Sequence, residues 1–309
     1  MARDWPAKVL LRDVAPRDGL QAEPVVLSTD DKLRLIDGLA QAGVPRVESA
    51  SFVRPDLLPQ MADAEEVMTR LTRRHGAFYN VLVPNLEAAR RALPTHPDEM
   101  SVFLSASETH NRKNVNRSVP ESIAECARIA DLGREHRVPV TAYIVTAFGC
   151  PYEGRVSEAQ VVEMAFRLYS AGITDITLGD TVGVANPIVV ESRLAALRHH
   201  IPGLTIGVHL HDNRGTALAN LMGAFEARCI RFDTALGGIG GSPFSPGAGG
   251  NLATEDAVYL LEEMGIKTGI DLAALLELGD FLEEKLGHAL PSRVRAARGR
   301  MVPKGADLG

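Results

Sequence analysis

The feature that most restricts how this chain can fold is an alternation of strand-like and amphipathic helical segments, repeated eight times. Each strand-like segment is short and rich in aliphatic or β-branched residues, which is typical of buried strands. The predicted strands are 9–14, 46–52, 78–83, 100–105, 140–145, 175–180, a segment that begins at 205, and 229–234. A helical pattern follows each strand, and one more helix is predicted at 272–286. Eight such units in order predict an α/β fold, a (β/α)8 TIM barrel with an extra C-terminal helix.

A doubly wound parallel sheet is the alternative architecture for alternating strands and helices. No GxGxxG motif opens the first helix, and polar residues cluster at the C-terminal ends of nearly every strand, so the barrel is favoured. The length of 309 residues suits one barrel domain. We therefore expect a single domain over 1–309, with the barrel at about 8–265 and a C-terminal helix and tail at about 266–309.

The composition limits the kinds of partner and compartment. The formal net charge is −6, so no binding of nucleic acid or of an anionic membrane surface is expected. No segment approaches the ~18 apolar residues of a membrane span, and the start of the chain does not resemble a signal peptide. The three cysteines are scattered and odd in number, which predicts reduced thiols in a cytoplasmic protein.

Two histidines mark the end of the seventh predicted strand. His209 and His211 are two residues apart, so in a strand their side chains point to the same face. Two imidazoles side by side could bind a divalent metal, or one could be a ligand and the other a general acid. The pair could also be hydrogen-bonded histidines of a polar loop.

Other polar residues follow the other predicted strands. Arg17 and Asp18 come after the first strand, Glu48 lies on the second, and Asp180 ends the sixth. A glycine-rich stretch at 237–250 follows the eighth strand and leads to an asparagine. In a TIM barrel these positions converge on the C-terminal face, where the active site lies. Together they could supply oxygen and nitrogen ligands for Mg²⁺, Mn²⁺ or Zn²⁺.

Six segments of the chain resemble the sequence motifs of 3-hydroxy-3-methylglutaryl-CoA lyases, a family of metal-dependent Claisen-type TIM barrels. They are collinear with the family's motifs from about residue 9 to 265. The segments are 14–23, 47–53, 105–109, 149–154, 178–183 and 251–256. The resemblance implies four metal ligands, namely Asp18, His209, His211 and Asn251. It also implies a divalent cation as cofactor, Mg²⁺ or Mn²⁺, with Zn²⁺ as a further candidate.

The resemblance also implies catalytic roles. Arg17 matches the arginine that stabilises the enolate, Glu48 the acid that supports the metal site, and Asp180 a carboxylate on the substrate side. The catalytic cysteine of the family is replaced by Ser242, which has the expected spacing to the asparagine ligand. A thiol has a reference pKa of about 8.5 and exchanges a proton near neutrality, whereas a serine hydroxyl needs help to do so. The general-base role could therefore fall to His209 or to a metal-bound hydroxide.

The expected reaction is cleavage of a 3-hydroxy-3-methylglutaryl-CoA thioester to acetyl-CoA and acetoacetate, which is the activity of an oxo-acid lyase. The expected partner is a small acyl-CoA substrate, and the family suggests a homodimer. Because of Ser242, two alternatives remain open. One is a lyase for a related 3-hydroxyacyl-CoA, such as citramalyl-CoA or a longer branched analogue. The other is a catalytically silent barrel that binds metal and CoA.

Overall fold

Eight parallel strands form a closed barrel in which each strand pairs with the next and the first pairs with the last. The structure is a computed structural model, and it describes residues 5–241 and 249–298. The strands are β1 Leu10–Asp13, β2 Arg46–Ser51, β3 Phe78–Leu82, β4 Glu99–Ser105, β5 Val140–Val145, β6 Asp175–Asp180, β7 Thr205–Leu210 and β8 Arg231–Thr234. The predicted (β/α)8 barrel is confirmed, and each predicted strand lies at its expected place in the chain.

Helices surround the barrel, and their buried apolar faces pack against the outer side of the strands. The helices are α1 Thr29–Gln41, α2 Ala64–Arg70, α3 Leu86–Ala92, α4 Glu108–Val115, α5 Val119–His136, α6 Glu158–Ser170, α7 Pro187–His200, α8 Ala217–Glu226, α9 Thr254–Glu263, α10 Leu272–Leu286 and α11 Arg293–Ala296. Helix α10 is the predicted extra C-terminal helix. Across the part of the chain that the structure describes, no helix is both long and apolar enough to span a lipid bilayer.

Two elements at the C-terminal face were not expected from the sequence. A five-residue π-helical turn, Ala15–Gly19, follows β1. Helix α4 follows β4, and its side chains are almost all polar, so it lacks the apolar period that marks a packed helix. The oxygen of Ser107 accepts a hydrogen bond from the backbone N–H of His110 and so caps α4 at its N-terminus.

The start of the arginine-rich C-terminal tail packs against α9 and α10. The Asp256 carboxylate of α9 accepts hydrogen bonds from Ser292 Oγ and from the backbone N–H groups of Arg293 and Val294, which anchors α11. The side chain of Arg295 is paired with carboxylates of α10. The tail therefore packs against the barrel as far as residue 298, where the described residues end.

The interior of the barrel contains charged residues as well as apolar ones. Arg12, Glu48, Glu99 and Asp233 point inward from four different strands and are all less than a tenth exposed. Many TIM barrels fill this space with branched aliphatic side chains. Buried charges are tolerated only when they are paired, and in this barrel each carboxylate has an arginine partner. These pairs lie directly below the residues at the barrel mouth.

Candidate active site

A cavity of about 430 Å³ opens at the C-terminal ends of the strands. Four of the predicted site residues line it, namely Arg17, Asp18, His209 and His211. Arg17 and Asp18 reach it because the π-helical turn after β1 folds back over the barrel mouth, with both side chains buried. The structure thus brings together residues that are almost 200 positions apart in the chain.

Asp18, His209 and His211 form a compact buried cluster. One ligand atom from each residue can be chosen so that all three atoms lie within 4.8 Å of one another. His209 Nε2 is 3.1 Å from His211 Nε2 and 3.9 Å from Asp18 Oδ2. The strand geometry produces this closeness, because His209 is near the end of β7 and His211 follows two residues later on the same face. Two nitrogens and a carboxylate oxygen are donors that Mn²⁺, Mg²⁺ and Zn²⁺ accept.

The other ring nitrogen of each histidine is held by a group that can only accept a hydrogen bond. His209 Nδ1 donates to Asp233 Oδ2 at 3.1 Å, and His211 Nδ1 donates to the carbonyl oxygen of Gly249 at 2.7 Å. In the neutral form of each ring the proton is therefore on Nδ1, and both Nε2 atoms present lone pairs to each other. Two lone pairs at this distance repel unless a proton or a metal ion lies between them. The arrangement fits a metal ion, with Asp233 and Gly249 orienting its ligands.

Asn251 supplies a further polar atom to this cluster. Its Nδ2 donates to Asp18 Oδ2 at 2.9 Å and to the carbonyl oxygen of Ile239 at 3.0 Å. Its Oδ1 is buried without a hydrogen-bond partner among the described residues. A buried acceptor without a partner costs free energy, so a bound cation would satisfy it. Gly240 is packed so closely that a Cβ atom there would lie 2.1 Å from Asn251 Nδ2.

The protonation equilibria of His211 and Asp18 suit metal binding, whereas His209 would have to lose a proton when a metal binds. Burial and the neighbouring His209 lower the pKa of His211 to about 4, so its imidazole is neutral at pH 7, as a ligand must be. Burial acts to raise the pKa of Asp18, but Arg17 and the two histidines outweigh it, and the net shift is downward. Burial acts to lower the pKa of His209, yet its hydrogen bond to Asp233 and the charge of Asp18 raise it overall.

Arg17 lies next to the cluster and is fixed by two carboxylates. Its Nε donates to Glu48 Oε2 at 2.5 Å, and its Nη1 donates to Asp18 Oδ1 at 2.6 Å. Glu48 is completely buried and also accepts from Asn80 Nδ2 at 3.2 Å and from the Tyr143 hydroxyl at 3.3 Å. Burial would lower the pKa of Arg17, but the charge of Glu48 raises it well above its usual value. The guanidinium is thus a rigid positive charge at the cavity wall.

The two remaining predicted site residues are Asp180 and Ser242. Both oxygens of Asp180 accept backbone hydrogen bonds, from Val184 at 2.9 Å and from Ala185 at 3.0 Å, so this carboxylate shapes the loop after β6. Its chain neighbours Gly179 and Thr181 line the cavity. Ser242 lies outside the described residues.

Sequence reasoning did not single out Arg12, Asp233 or Tyr143. Asp233 orients His209, Arg12 binds Asp233 through both of its oxygens, and the Tyr143 ring lies 4.8 Å from the guanidinium of Arg12. A charged residue within an otherwise apolar strand is the signal that could have found the first two. Such a charge is costly to bury and requires a partner.

The cavity, the cluster and the fold can be compared with known proteins. The sequence pattern of the HMGL-like family matches residues 8–282. The hydroxymethylglutaryl-CoA lyase of Bacillus subtilis is 45% identical over 289 residues, which is 94% of this chain and 97% of that protein. The mitochondrial hydroxymethylglutaryl-CoA lyase of Rattus norvegicus is 43% identical over 292 residues, 94% of this chain and 90% of that protein.

Two solved structures extend this similarity to the fold. The crystal structure of a B. subtilis HMG-CoA lyase superposes with a TM-score of 0.92 at 44% identity, covering 96% of this chain and 99% of that one. An HMG-CoA lyase of Acinetobacter baumannii, solved in complex with coenzyme A and 3-methylmalate, has a TM-score of 0.92 at 39% identity and covers 100% of this chain and 99% of that one.

Proposed function

Because the chain belongs to the HMGL-like family, we propose that it cleaves 3-hydroxy-3-methylglutaryl-CoA to acetyl-CoA and acetoacetate. It is an enzyme of the oxo-acid lyase class. The observation that best supports this reaction is the pair of facing Nε2 atoms beside Asp18, with the fixed guanidinium of Arg17 next to them. That combination supports a cation site next to a permanent positive charge at one cavity wall.

The proposed reaction makes two demands on the site. The proton of the substrate's tertiary hydroxyl must leave as the carbon–carbon bond breaks, and the electron pair of that bond passes to the thioester carbonyl as an enolate. A divalent cation held by Asp18, His209, His211 and Asn251 would lower the pKa of that hydroxyl and orient the substrate's oxygens. Arg17 would stabilise the enolate oxygen, because its guanidinium is always charged and held in place by Glu48.

The geometry also restricts the role of His209. Its Nδ1 is hydrogen-bonded to Asp233, so only Nε2 faces the cavity. One nitrogen cannot hold a cation and accept a proton at the same moment. We therefore propose His209 as a metal ligand, and we assign the proton transfer to another group of the site. Ser242, which lies where the family has its catalytic cysteine, is the candidate that the sequence offers.

The rim of the cavity suits the phosphates of an acyl-CoA. Arg54, Lys113 and Arg117 line the cavity and are cationic, and Asn114 lies among them. Phosphate oxygens bind arginine and lysine side chains through charge-assisted hydrogen bonds. Asn111, also on α4, has a structural role instead. It is buried and donates from Nδ2 to Ser122 Oγ at 2.7 Å, which stabilises the junction of α4 and α5.

The experiment that tests the function is an assay of acetyl-CoA release from a panel of 3-hydroxyacyl-CoA thioesters with Mg²⁺ and Mn²⁺. The panel comprises 3-hydroxy-3-methylglutaryl-CoA, citramalyl-CoA and longer branched analogues. We expect the first to have the highest kcat/KM. A higher kcat/KM for another member would move the assignment to that substrate, and binding of every thioester without turnover would indicate a silent barrel.

We propose four further properties of this enzyme. The native cation is Mg²⁺ or Mn²⁺, since the four candidate ligands include two oxygens and no thiolate. The protein acts as a homodimer in the cytoplasm. It forms one domain, with the barrel at about 8–265 and the C-terminal helix and tail at about 266–309. Size-exclusion chromatography with light scattering measures the oligomeric state, and metal analysis of the purified protein identifies the ion.

A further inference from the structure

A buried arginine lies two contacts away from the candidate metal ligands. Arg12 on β1 and Asp233 on β8 are direct neighbours in the parallel register of the two strands. Arg12 Nε donates to Asp233 Oδ1 at 2.8 Å, and Arg12 Nη2 donates to Asp233 Oδ2 at 2.9 Å. Both side chains are less than a tenth exposed. This is the two-pronged geometry that a guanidinium offers and an ammonium group does not.

The same carboxylate also forms a hydrogen bond with a candidate metal ligand. Asp233 Oδ2 accepts from His209 Nδ1 at 3.1 Å, so the orientation of the carboxylate decides where the imidazole points. Arg12 is itself fixed by three other groups, one of which is the Glu99 carboxylate, 3.6 Å from its Nη1. Its guanidinium lies over the Tyr143 ring at 4.8 Å, and its Nη2 donates to Thr177 Oγ1 at 3.3 Å. A continuous set of contacts therefore runs from the barrel interior to the Nε2 atom of His209.

We propose that Arg12 is a positioning residue for the metal centre, which holds Asp233 so that Asp233 fixes the tautomer and direction of His209. The inference rests on the proposed function, since it concerns the affinity of the metal site proposed there. Arg12 does not itself line the cavity, and it contacts none of the three clustered ligands directly. Its hydrogen-bonded route to the cation site passes through Asp233. The Tyr143 ring, which lines the cavity and lies 5.9 Å from the His209 ring, gives a second route without hydrogen bonds, and the test has to separate the two.

The barrel contains a second arginine–aspartate pair that serves as a matched control. Arg231 and Asp175 are ion-paired and are the first residues of β8 and β6. They lie at the N-terminal end of the barrel, opposite the mouth where His209 is found. Arg231 is partly exposed, whereas Arg12 is buried. If both arginines mattered only for folding, the loss of either would leave the metal affinity of the folded chain unchanged.

The test measures Mn²⁺ affinity. The chain is stripped of metal by chelation and titrated with Mn²⁺ alone, and electron paramagnetic resonance gives the concentration of free Mn²⁺ at each step. The variants are Arg12→Met, Arg12→Lys and Arg231→Met. Loss of a partner that orients a metal ligand lowers metal affinity by roughly 10- to 100-fold. We expect Arg12→Met to lose about tenfold, at the low end of that range because it acts through a second residue. Arg12→Lys should lose less, and Arg231→Met should bind as tightly as the native chain.

A double variant tests whether the effect passes through Asp233. If it does, Arg12→Met combined with Asp233→Asn should bind Mn²⁺ no more weakly than Asp233→Asn alone. This double variant also removes both buried charges, so it remains measurable if Arg12→Met does not fold. Native Mn²⁺ affinity in folded Arg12→Met would overturn the inference, and so would losses that multiply in the double variant. A native chain that binds no Mn²⁺ would instead overturn the proposed metal site.

Discussion

The replacement of Glu48 by glutamine should separate the positioning of Arg17 from the folding of the barrel. The native carboxylate accepts hydrogen bonds from Arg17, Asn80 and Tyr143, and it is completely buried. The glutamine amide has nearly the same shape but brings two N–H donors and no charge. The NH2 end of the amide would therefore face either the guanidinium donors of Arg17 or Asn80 and Tyr143 on the other side. In both orientations the guanidinium would lose one of its two ionic partners and would be held by Asp18 alone.

The size of the effect follows from these contacts. Removing one partner of a buried ion pair costs about 3–5 kcal/mol of unfolding free energy, and we expect about 3 kcal/mol because the amide still accepts one hydrogen bond. The loss of one aligned donor at an oxyanion lowers kcat by about 10²–10³-fold. We expect a loss of that order for Glu48→Gln at saturating substrate and cation, because the direction of the Arg17 guanidinium is then fixed by Asp18 alone.

Two measurements check this prediction. Urea unfolding gives the loss of stability, and the rate of acetyl-CoA release gives kcat. Asp175→Asn is the control, since it breaks the Arg231 pair at the opposite end of the barrel and should lower stability without lowering kcat. The reasoning is refuted if Glu48→Gln retains native kcat, or if Asp175→Asn lowers kcat by the same factor.

Three more changes have defined outcomes. His211→Ala removes one of two facing ligands, so Mn²⁺ affinity measured by calorimetry should fall, and an unchanged affinity would exclude His211 from the metal site. Ser242→Cys should raise kcat on 3-hydroxy-3-methylglutaryl-CoA, because a thiol exchanges protons near neutrality more readily; no gain would show that the serine is not limiting. Burial raises the pKa of Glu255 to about 8, so the folded chain holds a proton that the unfolded chain releases. Stability should therefore fall as the pH rises from about 5 to 8, and Glu255→Gln should flatten this slope in urea unfolding; equal slopes would contradict the shift.

The strand and helix periods of the sequence were enough to predict the barrel. Its strands are short apolar segments separated by amphipathic helices, and the polar residues at the C-terminal ends of the strands favoured the barrel over a doubly wound sheet. The π-helical turn at Ala15–Gly19 and helix α4 could not be predicted from periodicity. The first is too short to show a period, and the second is polar on almost every side.

The candidate site was predicted in part. Asp18, His209 and His211 are brought together as expected, because the end of β7 and the turn after β1 share one face of the barrel. The orientation of the imidazoles could not be predicted. It depends on Asp233 and Gly249, whose contacts with the histidines are set by the closed barrel and the loop after β8. A local pattern does not specify which residues become neighbours when a barrel closes.

The measurement that tests the account most directly is the rate of acetyl-CoA and acetoacetate release from 3-hydroxy-3-methylglutaryl-CoA, before and after the chain is stripped of metal. We expect turnover by the metal-loaded chain, loss of turnover after chelation, and recovery when Mn²⁺ or Mg²⁺ is added back. We also expect no recovery for Asp18→Asn at the cation concentration that restores the native chain, since that variant lacks the charged ligand of the cluster. Turnover that survives chelation, or no turnover with any cation, would contradict a lyase that works through this metal site.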